Sequence, residues 1–249
     1  MDRLAAEIGE LSERVEGLVL PRAAYRYNPL RYAWGPHLEY LRRYGLRPRR
    51  VLLLGMNPGP WGMAQTGIPF GDPVMVRDWM GITAKVDAFP EAHRRVPVRG
   101  FDSHRREGSG TRLYSWARSR FGTADNFFST FFVANYFPLL LLDQSGTNLT
   151  PAILTSAERA SIANACDPQL SRIIRRLQPE VLLGVGRYAA AQLERVVKAE
   201  RYGAQVGCIL HPSPANPRAN RSWEQEVETE LRAHGIDVSS YASLSEGDG

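Results

Sequence analysis

The chain has 249 residues, 43% hydrophobic and 23% charged, enough apolar material for one large or two small buried domains and too much for wholesale disorder. No apolar run approaches the ~18 residues of a membrane span, and Cys166 and Cys208, the only cysteines, cannot hold an iron-sulfur cluster or a four-thiolate zinc site. A net charge of +5, carried almost wholly by arginine, suits a polyanion such as nucleic acid.

Leu4, Ile8, Leu11, Val15 and Leu18 recur at steps of four and three, which predicts one face of a helix. That start is acidic and amphipathic and does not read as a signal peptide. Residues 25–34 are aromatic and proline-broken, an irregular packing segment, and His37 to Tyr44 reads as a short helix ending near Gly45. Val51 to Leu54 is a continuous apolar run, the pattern of a parallel strand covered on both faces. It breaks at once into a loop with Asn57 at its start, stiffened by Pro58 and Pro60 and freed to turn by Gly55, Gly59, Gly62 and Gly67. Open α/β sheets bind ligands at such strand ends. Neither G-x-x-x-x-G-K-[ST] nor G-x-G-x-x-G is present, so the loop is not of the common nucleotide-binding kinds.

Beyond the loop, Val74 to Gly81 suggests a helical turn. Residues 93–110 are dense in arginine, histidine and glycine without apolar period and read as a solvated surface loop. A phosphate-contacting rim is the functional alternative for them. Thr111 to Phe121 predicts a helix and the aromatic run 127–134 a second buried strand, ending at Asn135 and stopped by Pro138. Leu139 to Leu142 is another apolar run. Thr155 to Ala165 predicts a helix, and Asp167-Pro168 the cap and first residue of a further one. Val181 to Val185 and Val206 to Leu210 are the third and fourth strands, with a helix over 188–198 between them. His211 follows the fourth strand in a proline-rich loop, and Ser222 with Gln225 makes a capping box for the last helix. Residues 238–249 read as a loose tail after a single domain over 1–237. Strands alternating with helices imply an α/β fold: one parallel sheet with helices on both faces.

In such a sheet Asn57, Asn135 and His211 stand on the same edge, two neutral amides and one imidazole around one crevice. The pattern contains no carboxylate pair for ordinary glycoside hydrolysis, no nucleophile elbow and no histidine spacing for a metal. An amide can hold water or read a base edge, an imidazole can stabilise a developing oxyanion, and an aromatic ring can stack on a heterocycle. The set suits a reaction whose leaving group departs as a stabilised anion.

Gly55 to Gly71 resembles the first motif of the single-strand-selective monofunctional uracil-DNA glycosylases, and His211 to Asn220 resembles their second. Asn135 with Pro138, followed by Ser145 to Pro151, is similar to the segment between. The resemblance covers about residues 20–235. It implies a three-layer α/β/α sandwich around a four-stranded parallel sheet, and hydrolysis of the N-glycosidic bond of uracil and 5-hydroxymethyluracil in single- and double-stranded DNA, opening base excision repair. It implies that Asn57 positions the attacking water and His211 stabilises charge on the uracil O2. It makes Asn135 the reader of the uracil edge, Phe70 the stacked ring, and Met56, Pro58, Gly59 and Met63 the pocket wall. Gly59 is expected to leave room beside the uracil C5. Ser213, Pro214, Ala215, Asn216, Pro217, Arg218, Ala219, Asn220 and Arg221 match the wedge that enters the duplex when a nucleotide is flipped.

The expected partner is DNA containing uracil or oxidised or deaminated bases, handled by a monomer with no cofactor, no metal and no membrane. The expected location is cytoplasmic, at the nucleoid in a prokaryote, or nuclear in a eukaryote. Lys85 and Lys198, the only lysines, lie outside the motifs, so strand cleavage through a Schiff base is not expected. Ala134 and Phe137 stand where animal members of that family often carry His and Cys, and Trp61 where Phe is common. That departure keeps open a glycosylase acting chiefly on hypoxanthine or xanthine. A non-catalytic DNA-binding module is the reading from another class.

Overall fold

The computed structural model describes residues 3–239. In chain order its regular elements are α1 (Arg3–Glu16), β1 (Tyr25–Tyr27), α2 (Pro29–Tyr32), α3 (Trp34–Tyr44), β2 (Val51–Gly55), α4 (Met63–Thr66), α5 (Gly108–Phe121) and α6 (Ala124–Thr130). There follow β3 (Phe131–Asn135), β4 (Leu140–Leu142), α7 (Ser156–Leu177), β5 (Val181–Val185), α8 (Arg187–Glu200), β6 (Gln205–Ile209) and α9 (Pro217–Ala233).

Four strands form the central sheet in the order β3-β2-β5-β6, every pair parallel. The interior strands β2 and β5 are buried at every residue, as expected of strands made of Val, Leu and Gly when helices cover both faces. The register sets Gly55 opposite Asn135, Leu54 opposite Gly184 and Val185 opposite Ile209. All four carboxyl ends therefore finish in one row. The ladder runs on past β2, with Tyr136 N–H donating to Gly55 O at 2.9 Å and Phe137 N–H to Met56 O at 3.0 Å. The chain reverses its direction of travel across the sheet between β3 and β5, which places a switch point beside β2.

Several segments depart from the sequence reading. The run 127–134 is not one strand: Thr123 caps α6 through Asn126 N–H, and only Phe131 onward is extended. Phe127 and Phe131 stack at 5.0 Å between centroids across that helix-to-strand change, so continuous burial erased the period that separates the two states. Asp167 does not cap a second helix. Pro168 lies inside the 22-residue α7, and Asp167 pairs instead with Arg195 and accepts the Tyr136 hydroxyl at 2.6 Å. The buried face from Ile162 through Leu170 to Leu177 holds the helix together across the proline, whose cost is about 3 kcal/mol in isolation. Asn216 caps α9 with Pro217 next, and Ser222 is a non-helical kink inside it. Residues 25–27 are not irregular but pair antiparallel with β4. Val238 is buried against the core beside Ile236, and the rest of the expected tail, 240–249, lies outside the described residues.

Candidate active site

At the carboxyl row of the sheet lies a cavity of about 270 Å³. It is lined by Met56, Asn57, Pro58, Gly59, Phe70, Asn135 and His211, with Pro60, Glu107, Ser109, Asn148, Thr150 and Ser213 completing the wall. Pockets for drug-sized ligands start at roughly 300 Å³, so this one suits a single flat ring. The two amides and the imidazole thus converge, as a shared sheet edge requires.

The loop that follows β2 is pinned from behind by three buried side chains on separate helices. The Tyr32 hydroxyl donates to Ala64 O at 2.7 Å, His37 Nδ1 meets Gly67 O at 2.7 Å, and the Tyr114 hydroxyl donates to Pro69 O at 2.7 Å. Burial pushes the His37 imidazole down to about 4, so it is neutral and its Nδ1–H is the donor. Gly67 takes φ +74°, a turn in which a Cβ would press to 2.6 Å from Ala33 O. Phe70 holds φ +55°, a costly conformation for an aromatic residue, of order 1–3 kcal/mol. Its carbonyl is crossed closely by Gly110, where a Cβ would lie 2.8 Å from the Phe70 carbonyl carbon.

Asp72, fully buried, ties this loop to the start of α5. It accepts Arg106 Nε–H at 2.7 Å, Glu107 N–H at 3.0 Å, the Thr111 hydroxyl at 3.1 Å and, through its other oxygen, Met75 N–H at 3.1 Å. Burial alone would raise its pKa; the Arg106 bond and the two backbone donors outweigh that and hold it below the usual carboxylate range.

The polar groups facing the cavity have distinct states. Asn57 donates Nδ2–H to Pro58 O at 3.2 Å, which fixes the amide and leaves Oδ1 without a partner among the described residues. Asn135 donates Nδ2–H to Met63 Sδ at 3.2 Å, and its Oδ1 is buried without any partner. A thioether accepts and never donates, so Met63 keeps the NH₂ on its own side. The open Oδ1 is then an acceptor waiting for a donor, since leaving such an atom unmatched costs about 1–3 kcal/mol. Burial lowers the His211 pKa, which favours a neutral ring at neutral pH. Its ring lies 6.0 Å from that of Phe70, tilted by 45°.

The structure alters three of the sequence expectations for this site. Met63 does not line the cavity; it is buried behind it and acts on Asn135. Gly59 does not leave a vacant space: a Cβ there would sit 2.9 Å from the Glu107 carboxyl carbon and 3.1 Å from Oε1, because that carboxyl fills the position. Ala219 faces the core, and Asn216 is occupied in capping α9 by accepting Arg218 N–H at 3.0 Å, so neither is a free wedge residue. Ser213 lines the cavity, while Pro214, Ala215, Pro217, Arg218, Asn220 and Arg221 are exposed beyond it. Asn220 braces the turn, accepting from Arg112 at 2.9 Å and donating to Pro214 O at 2.7 Å.

Sequence reasoning missed Glu107 and Asn148. Glu107 has a raised pKa, chiefly from burial, and is the one glutamate in the basic run 93–110, the only sign that could have marked it. Asn148 carries a buried, unpartnered Oδ1 and follows the Ser-Gly-Thr turn, the sign in the sequence of a third amide at the cavity beside Asn57 and Asn135.

A profile of the uracil-DNA glycosylase superfamily matches residues 43–232. The single-strand selective monofunctional uracil DNA glycosylase of Bos taurus is 43% identical over 210 residues, covering 84% of this chain and 77% of its own length. The Rattus norvegicus protein of the same name is likewise 43% identical, over 84% of this chain and 76% of its own. The crystal structure of wild-type Pedobacter heparinus SMUG2 superposes with a TM-score of 0.61 at 17% identity, over 97% of this chain and 99% of that one, a likeness of fold. With the sandwich, the edge cavity and these relatives together, the chain belongs to the single-strand selective monofunctional branch of the uracil-DNA glycosylase superfamily.

Proposed function

We propose that this chain is a monofunctional DNA glycosylase that removes uracil by hydrolysing its N-glycosidic bond. A flipped uracil enters the cavity and stacks on Phe70, the extruded base being recognised by shape and hydrogen bonds. Its N3–H is the donor that the Asn135 Oδ1 lacks, and cytosine, with an acceptor at N3, does not satisfy it. Asn57 Oδ1 accepts from the attacking water. The C1′–N1 bond breaks, the electron pair passes to the base, and the neutral His211 donates to O2 as negative charge gathers there. Water oxygen bonds to C1′, and its proton leaves to solvent or base, giving an abasic site and free uracil. No lysine lines the cavity, which agrees with hydrolysis and not Schiff-base strand cleavage.

The observation that carries this reading is the unpartnered Asn135 oxygen in a cavity sized for one ring, which Phe70 and the open Asn57 oxygen also face. With Glu107 filling the place beside Gly59, we assign the reading of a pyrimidine 5-substituent to that carboxyl, which can exchange a hydrogen bond with a 5-hydroxymethyl group and offers nothing to a methyl. The test is excision from oligonucleotides carrying uracil, 5-hydroxymethyluracil, thymine or hypoxanthine, in single and double strands, scored by alkaline cleavage of abasic sites. Uracil is expected to be released fastest. Asn57→Ala is expected to lose most of the rate, and His211→Ala on the order of 10²–10³-fold. No uracil release above a protein-free control refutes the assignment.

A further inference from the structure

Beside the base cavity runs a second groove of about 550 Å³, whose wall includes Trp61, Arg94, Arg95, Arg99, His104 and Arg105 and contains no carboxylate. It continues the base cavity through the chain itself. Pro60 lines the first and Trp61 the second, and Arg105 lines the groove two residues before Glu107 reaches the cavity.

The wall is held firmly. Gln65, fully buried, donates to Pro60 O at 2.9 Å and Pro97 O at 3.1 Å and accepts Arg99 N–H at 2.8 Å, which fastens the arginine segment to the active-site loop. His93 is buried with its N–H on the Tyr27 hydroxyl at 2.6 Å, and that hydroxyl donates to Val96 O at 2.9 Å. The expected solvated loop over 93–110 is therefore a built element with His93, Val96, Gly100 and Ser103 turned inward.

What it holds outward is unneutralised charge. Among the described residues the guanidinium groups of Arg94, Arg99 and Arg105 make no ion pair or hydrogen bond, and Arg95 reaches only the Ser145 carbonyl at 3.1 Å. Several arginines elsewhere are matched, as Arg77 is by Asp78, Arg120 by Glu228 and Arg195 by Asp167. Arg105 lies 4.5 Å over the Trp61 ring, a stacking that fixes the guanidinium plane and leaves its edge donors free. Like charges gathered on a rigid wall without counter-ions are the electrostatic form of a polyanion site.

We propose that this groove binds the phosphates of the substrate strand next to the flipped nucleotide, giving the enzyme its grip on single-stranded DNA. The inference rests on the glycosylase reading above. The probe is a fluorescein-labelled single-stranded oligonucleotide carrying a tetrahydrofuran abasic analogue, titrated by anisotropy through a salt series. Arg94→Ala/Arg99→Ala is compared with Arg172→Ala/Arg175→Ala, which removes the same charge from α7. The groove variant is expected to bind roughly tenfold more weakly, and its slope of log K against log salt to shallow by about 1.4, near 0.7 for each lost contact. Arg105→Gln gives a smaller change of the same sign and serves where the double variant folds poorly. Binding and slope equal to the wild type, or to the α7 control, overturn the groove assignment while uracil release by the wild type leaves the glycosylase reading standing. A wild type that binds the probe but releases no uracil defeats the glycosylase reading alone.

Discussion

A methyl group added at Gly55 tests how closely the pocket is fitted together. A Cβ there would stand 2.6 Å from Phe70 Cε2 and 3.0 Å from its Cζ, with Asn135 Oδ1 nearer still. Ordinary carbon contacts are ~3.5–4.0 Å, so the ring must retreat by about 1 Å and the amide with it. The backbone is no obstacle, because Gly55 is strand with negative φ and alanine adopts that conformation freely. Gly55 does not line the cavity, so the effect of the methyl passes through the two displaced groups. A misplacement of that size costs on the order of 10²-fold in rate, about 2.7 kcal/mol of barrier. Gly55→Ala is therefore expected to excise uracil about a hundredfold more slowly in single-turnover assays, while a thermal melt shows a folded protein. An unchanged rate in a folded variant would refute the fit of strand, ring and amide described here.

Three further outcomes follow from the same geometry. Burial raises the folded-state pKa of Glu107, so ionising it opposes folding, and stability falls as pH rises from its unfolded value through its folded one. Glu107→Gln removes that slope, seen as a denaturant midpoint that gains on the wild type as pH increases, and it also shifts the preference between uracil and 5-hydroxymethyluracil. His37, pushed down to about 4, binds its proton in the unfolded chain first. Stability is thus lost as pH falls from about 6.5 toward 4, by about 3 kcal/mol, and His37→Gln flattens that loss in melts at acid and neutral pH. Met63→Leu keeps the packing but takes away the acceptor that orients Asn135, so the uracil-to-cytosine excision ratio should drop with little change in melting temperature.

The parts legible in sequence were those with local causes. An apolar run broken by glycine and proline marked β2 and its loop, and three polar residues at strand ends marked the cavity. The start of β3 was hidden because Phe127 and Phe128 are as buried in α6 as Phe131 and Phe132 are in the strand, and burial without period has no signature. Pro168 misled because a long continuous face outweighed one local preference. Glu107 escaped notice because its place is set by Asp72, 35 residues away, and no spacing rule connects them. Gly59 was expected to leave room for the base, but the neighbour that takes the space is the Glu107 carboxyl.

The anchoring of the loop after β2 to Tyr32, His37 and Tyr114 bears on how such an enzyme can change its diet. A wall moored at three carbonyls by residues from α2, α3 and α5 has little freedom to breathe outward around a bicyclic purine. New specificities in this lineage would then arise by exchanging the side chains that face the base, one at a time, and not by loosening the frame that carries them.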